Sequence, residues 1–233
     1  MCGYSINLTT AKLAPTPHQN SSTDEALEFK VEDNDILAKL CGPLESHIAH
    51  LEIAFDTQLI RRGNTIFISN GTYSPETGEI FPIIMASNII LIGEDEALTI
   101  LDAQQSATVV EMENCINSSI SNLTILGGLG ENGGGIRLYN SDPVLQQLTI
   151  TNNSSYYEGA GMYSIDSNPV LLRLSITHNM TNSDGGGIFL RNSNAIIHHS
   201  IISYNIASEG QGMLLYNSEP EMINSIIYHN THC

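Results

Sequence analysis

Apolar and polar positions alternate along most of this chain in short runs of about four to six residues, bounded by glycine or asparagine; runs of this length suit strands and are too short for stable helices. The stretch "GGGIRLYNSDPVLQQLTITNN", residues 133–153, shows the pattern. It returns as "GAGMYSIDSNPVLLRLSITHN" from Gly159, "GGGIFLRNSNAIIHHSIISYN" from Gly185 and "GQGMLLYNSEPEMINSIIYHN" from Gly210, at steps of 26, 26 and 25 residues. A degenerate earlier copy, "VVEMENCINSSISNLTILGG", places Val110 one period before Ile136. Self-similarity at this period marks a stacked-repeat architecture.

Aligning the copies produces columns. Gly133, Gly159, Gly185 and Gly210 open each turn, with Gly135, Gly161, Gly187 and Gly212 two positions on; glycine accepts positive φ and has no Cβ to strike the next coil. Apolar columns run through Ile136, Met162, Ile188 and Met213, and through Ile150, Ile176, Ile202 and Ile227. Asn153, Asn179, Asn205 and Asn230 form a column whose amides can hydrogen-bond from layer to layer, and asparagine tolerates left-handed backbone angles at a corner. A second polar corner stacks Asn140, Asp166, Asn192 and Asn217, each followed by a serine: Ser141, Ser167, Ser193 and Ser218. The predicted fold is an all-β solenoid of about seven coils, one strand spacing of ~4.8 Å apart, with a short helical N-terminal cap.

The domain reading follows. Residues 1–33 form a linker or loosely ordered arm, 34–60 the helical cap, and 61–233 the solenoid. In the cap, Pro43 suits a helix first turn, and Ile48, Leu51, Phe55 and Leu59 share one face; such a helix covers the open end of a solenoid. The sequence stops at "YHNTHC" in mid-repeat without a polar cap, which fits a piece of a longer protein. The N-terminus lacks the basic start and apolar run of a secretion signal, and no stretch approaches the ~18 apolar residues of a membrane span.

"GNTIFISNGTYSPETGEIFPIIMASNIILIGEDEALTILDA", residues 63–103, followed by the GGGI…IxxN coils, resembles the right-handed parallel β-helix repeat proteins of the pectin-lyase-like superfold. It is closest in style to bacterial surface proteins and to the repeats of polymorphic outer-membrane proteins and related autotransporter passengers. The resemblance implies that the solenoid is a right-handed parallel β-helix, with a secreted or cell-surface location. It leaves function open, because this superfold carries lyases, hydrolases, epimerases, adhesins and tail spikes.

Charge narrows the partners. Eight Lys and Arg against 25 Asp and Glu give a net charge of −17, which disfavours nucleic acid and anionic membranes and leaves a polysaccharide or surface protein as the expected partner. Acidity is compatible with calcium, though no cofactor is specified. Cys2, Cys41, Cys115 and Cys233 fit no zinc spacing and are read as free thiols. The motifs expected of pectate lyases, polygalacturonases, pectin methylesterases and alginate epimerases are absent. Asp142, Asp166, Asp184 and Glu209 scatter over corners, where acids form turns. Of the histidines, His47 with His50, His198 with His199, and His229 with His232 beside Cys233 supply no full metal ligand set in sequence.

The candidate site is a sheet face. If Ile136 and Leu138 point inward, strand alternation sends Arg137 and Tyr139 outward. The outward columns then read Arg137, Tyr163, Phe189, Leu214 and Tyr139, Ile165, Arg191, Tyr216. The expected ligand- or partner-binding residues are Arg137, Tyr139, Tyr163, Phe189, Arg191 and Tyr216, since an exposed aromatic and guanidinium surface usually signifies contact. Coverage by the N-terminal arm or by the "NNSSYYEGAG" loop is the competing expectation. The reading is therefore a non-catalytic module that binds a glycan or protein along this sheet; a polysaccharide lyase or hydrolase acting on acidic sugars and a structural spacer are the alternatives. A short outward array of Thr149, Thr151, Ser175 and Thr177 is ordinary strand composition. Asn-x-Ser/Thr triplets begin at Asn7, Asn20, Asn70, Asn117, Asn122, Asn152, Asn153 and Asn179, but a glycan at Asn153 or Asn179 would break the asparagine column.

Overall fold

The structure, a computed structural model, describes residues 60–62 and 64–233. The expected arm and cap, with His47, His50, Cys2 and Cys41, lie outside the described residues, except that Ile60, read as the last cap residue, begins a strand. That strand, Ile60–Arg62, pairs antiparallel with Thr65–Ile68; every other strand pairing is parallel, and the chain winds into a β-solenoid.

Three parallel sheets make the walls. The first carries six strands: Ile83–Met85, Val110–Glu113, Ile136–Tyr139, Met162–Ile165, Ile188–Arg191 and Met213–Tyr216. Among the described residues it has six rungs and the second sheet stacks seven, close to the seven or so coils expected. The second includes two eight-residue strands, Ser119–Leu126 and Val144–Thr151. In later coils that wall divides into paired short strands such as Val170–Leu172 and Ser175–Thr177. The third has two-residue strands, among them Ser154–Ser155, Met180–Thr181 and Ile206–Ala207. In the first sheet Ile136 stands between Val110 and Met162, and Ile188 between Met162 and Met213, the register that the period dictates.

Alternation along each strand sends one set of side chains inside. Ile136, Leu138, Leu145, Leu148, Ile150, Met162, Leu171, Ile188, Leu190 and Ile197 are fully buried. Each repeat adds a similar apolar layer, so burial grows by stacking rather than by folding back on a single centre.

The corners show why the punctuation residues recur. Gly159 has φ of 64°, a conformation costly for a residue with a Cβ. Gly161 has a different reason: a Cβ there would lie 2.5 Å from the Gly187 carbonyl oxygen one coil on. The buried asparagines form a continuous ladder. The Asn153 backbone N–H and its Nδ2 both donate to Asn179 Oδ1, at 3.1 and 3.0 Å. Asn179 donates to Asn205 Oδ1 at 3.0 Å and Asn205 to Asn230 Oδ1 at 3.0 Å. The second amide hydrogen goes to a strand carbonyl, Ile150 in the case of Asn179. The left-handed backbone is not on this column, as its sequence suggested. It falls on the preceding residues, Asn152, His178, Tyr204 and His229, with φ between 51° and 56°. The ladder asparagines are buried to bond; the residue before them turns the chain.

The serine column is a parallel device. Each Oγ accepts a backbone N–H from the previous coil: Cys115 to Ser141, Ser141 to Ser167, and Ser167 to Ser193, at 2.9 to 3.1 Å. Each also donates to the carbonyl two residues back in its own coil. Cys115 heads the column, its buried thiol directed at the Met85 carbonyl. On the outside, Asn140, Asp166, Asn192 and Asn217 have left-handed backbone and bond rung to rung, as Asn192 Nδ2 to Asp166 Oδ1 at 2.9 Å and Asn217 Nδ2 to Asn192 Oδ1 at 2.7 Å.

Candidate functional site

The first sheet brings the six expected residues to one outer face in two adjacent columns. One runs Glu111, Arg137, Tyr163, Phe189, Leu214; the other Glu113, Tyr139, Ile165, Arg191, Tyr216. The alternation expected from sequence thus sets the columns, but exposure along them is uneven.

The centre of the face is covered. Phe189, expected to be exposed, is 2% exposed, and Ile165 is 8% exposed. The cover is made by neighbours on the same face. The Tyr163 ring stacks on Phe189 with centroids 5.4 Å apart and planes 17° apart. The Arg191 guanidinium carbon lies 5.3 Å from the Phe189 centroid and 5.4 Å from that of Tyr216, within the range of cation–π attraction. Phe189 is therefore a support beneath the surface, not a contact residue.

Carboxylates fix the two arginines. Arg191 pairs with Glu158 at 3.2 Å and Arg137 with Glu111 at 3.4 Å. Glu158 comes from the "NNSSYYEGAG" loop, so that loop does reach the face through this side chain; its Tyr156 and Tyr157 are exposed. Burial, followed by the nearby Glu158 carboxylate, pushes the Tyr163 hydroxyl above its ordinary value, so it stays neutral. The Arg191 Nε is buried without a hydrogen-bond partner.

What remains open is well defined. Tyr139 is 47% exposed and Tyr216 62%. They stand in the same column three rungs apart, ~14 Å at the usual strand spacing, with the held Arg191 between them and exposed Arg137 alongside. Sequence reasoning missed Glu111 and Glu158 as partners of the two arginines. The Glu111–Arg137 pairing was readable from the 26-residue period; the reach of the Glu158 loop was not.

The acids weighed from sequence sit in turns. Asp142 accepts the Asn168 backbone N–H, Asp166 belongs to the outer asparagine column, and Asp184 bridges Glu209 through the backbone. Among the described residues, no group of three or more His, Cys, Asp or Glu is placed to hold a metal ion, and no helix is long and apolar enough to cross a membrane. Asn153 and Asn179 are fully buried, so neither offers its amide to a glycan in the folded chain.

The three-walled solenoid and its repeat columns define a β-helix of the kind found in surface-associated and polysaccharide-associated modules. The family described as the right-handed beta helix region matches residues 108–233, and the chain belongs to that family. No curated protein and no solved structure matches it.

Proposed function

We propose that the protein is a non-catalytic binding module that takes a neutral glycan along the outer face of the first sheet. The observation that carries this reading is the pair of exposed tyrosines, Tyr139 and Tyr216, in one column on either side of an arginine that is already immobilised. Aromatic rings offer apolar faces to sugar rings together with a polar edge. A guanidinium held by Glu158 and by two rings presents donors at little further entropic cost.

The charge balance favours a neutral ligand over an acidic one. Glu111, Glu113 and Glu158 stand against Arg137 and Arg191 on this face, three negative groups to two positive, on a chain of net charge −17. Both guanidiniums have their carboxylate partners already, so a polyuronate would have to displace them. A secreted or cell-surface location accords with such a role and belongs to the same proposal.

The test is binding of the whole protein to a broad panel of neutral and acidic polysaccharides, comparing the native chain with a Tyr139→Ala/Tyr216→Ala variant. Both side chains are largely exposed, so the melting temperature should hardly change. Loss of the two exposed aromatic contacts should weaken neutral-glycan binding by about tenfold or more. Equal binding by both proteins, or binding confined to acidic polymers, would refute the proposal.

A further inference from the structure

The second sheet carries a separate feature. At its bend a column of left-handed residues runs Gln147, Arg173, His199 and Asn224, with φ between 50° and 56°. The column before it runs Gln146, Leu172, His198 and Ile223. Gln146, Leu172, Arg173, His198 and His199 line an open-sided cavity of ≈ 240 Å³. This cavity lies on a different wall from Tyr139 and Tyr216.

Its chemistry is unlike that of the first sheet's outer face. Arg137 and Arg191 are held by carboxylates, whereas Arg173, exposed, has no carboxylate partner among the described residues. Two imidazoles stand one rung beyond it. Asn224 Nδ2 lies 3.2 Å from His199 Nε2; an amide nitrogen can only donate, so the proton of neutral His199 sits on Nδ1, as a donor. His198 Nε2 lies 3.1 Å from Glu221 Oε1 and donates to it. Glu221 is the one carboxylate these contacts bring to the cluster, and it engages His198 Nε2.

We propose that this cavity binds a tetrahedral oxyanion, a sulfate or phosphate group, free or as an ester on a larger molecule. The Arg173 guanidinium supplies the planar fork that pairs with two oxygens of such a group. His199 Nδ1–H supplies a further donor, and the stem of Leu172 gives an apolar wall. Glu221 acts as a competing anion, so binding tightens when it is neutralised.

The full chain is titrated with inorganic sulfate and, separately, inorganic phosphate against chloride at matched ionic strength, following amide and imidazole resonances. The proposal expects saturable shifts at Arg173, His198 and His199. Arg173→Gln should weaken binding about tenfold or more. The fold accepts this change, since Gln147 occupies the same column with the same backbone angle. Glu221→Gln should tighten binding severalfold. A sulfated and a phosphorylated monosaccharide in parallel titrations separate the sources: tighter binding than the inorganic ion assigns the site to an ester, equal binding to the free ion. Shifts that follow ionic strength without saturating, unchanged affinity in Arg173→Gln, or unchanged affinity in Glu221→Gln would overturn the proposal. Neutral-glycan binding is expected to be the same in Arg173→Gln as in the native chain, so the two sites stand or fall separately.

Discussion

Replacing Asn179 with alanine tests how much the buried amide ladder contributes. The side chain is fully buried and takes part in four hydrogen bonds: two accepted from Asn153, one donated to the Ile150 carbonyl and one to Asn205. Alanine removes all four. The Asn153 backbone N–H then loses its partner in a dry corner, while Asn153 Nδ2 keeps the Ile125 carbonyl. An orphaned buried donor costs ~1–3 kcal/mol and each of the three remaining bonds contributes about 1 kcal/mol net, for a total of about 5 kcal/mol. Asn192→Ala is the matched control. Asn192 bonds to Asp166 and Asn217 at similar distances, but at an exposed corner. Water replaces those partners at about 0.5 kcal/mol, and alanine in the left-handed backbone of this position, φ 50°, adds about 1 kcal/mol, for an expected cost of about 1.5 kcal/mol. Urea unfolding followed by far-UV circular dichroism measures both. In a stacked array the loss can emerge as an earlier partial transition around the altered coil, so hydrogen exchange at Asn153 should accompany the melt. A difference between the two variants below about 1 kcal/mol would show that burial of the ladder is not what makes it stabilising.

Other outcomes follow from the same contacts. Gly161→Ala should destabilise by ~3 kcal/mol or prevent folding, because its Cβ would press on the Gly187 carbonyl at 2.5 Å and backbone cannot move aside cheaply; the yield and melting temperature of the variant decide this. Burial pushes the Cys115 thiol above its ordinary value of 9.0. Native Cys115 should therefore resist alkylation while exposed Cys233 reacts, as read by peptide mass spectrometry. The same shift has a sign for stability. The unfolded thiol ionises first, so stability is complete below 9.0 and falls as pH rises through the native value, with Tyr163 adding to the loss above 10.0. Cys115→Ser should fold, since serine fills the later rungs of its column, and should remove the thiol's part of that alkaline loss.

Much of this architecture was legible because a solenoid writes its geometry into its period. Residues 26 apart are neighbours, so Ile136, Met162 and Ile188 could be stacked on paper and do stack. The ladders were legible for the same reason. What the period does not carry is lateral packing on the outside. Phe189 has the alternation of a surface residue, yet Tyr163 and Arg191 from adjoining rungs close over it. The backbone angle was also misplaced by one residue: asparagine prefers both roles, and only the structure separates the bonding Asn179 from the turning His178. The Arg173 cavity escaped notice because its members come from two adjacent columns, Leu172 with His198 and Arg173 with His199. Neither column by itself resembles a site.

The most direct test of the central claim is a two-dimensional NMR titration of the full chain with a neutral oligosaccharide drawn from the panel. Saturable shifts concentrated on Arg137, Tyr139, Arg191 and Tyr216, with the sugar recovered intact, are the predicted result. Shifts confined to another wall, no shift across neutral sugars, or the appearance of new reducing or unsaturated ends would contradict a non-catalytic glycan module built on the first sheet.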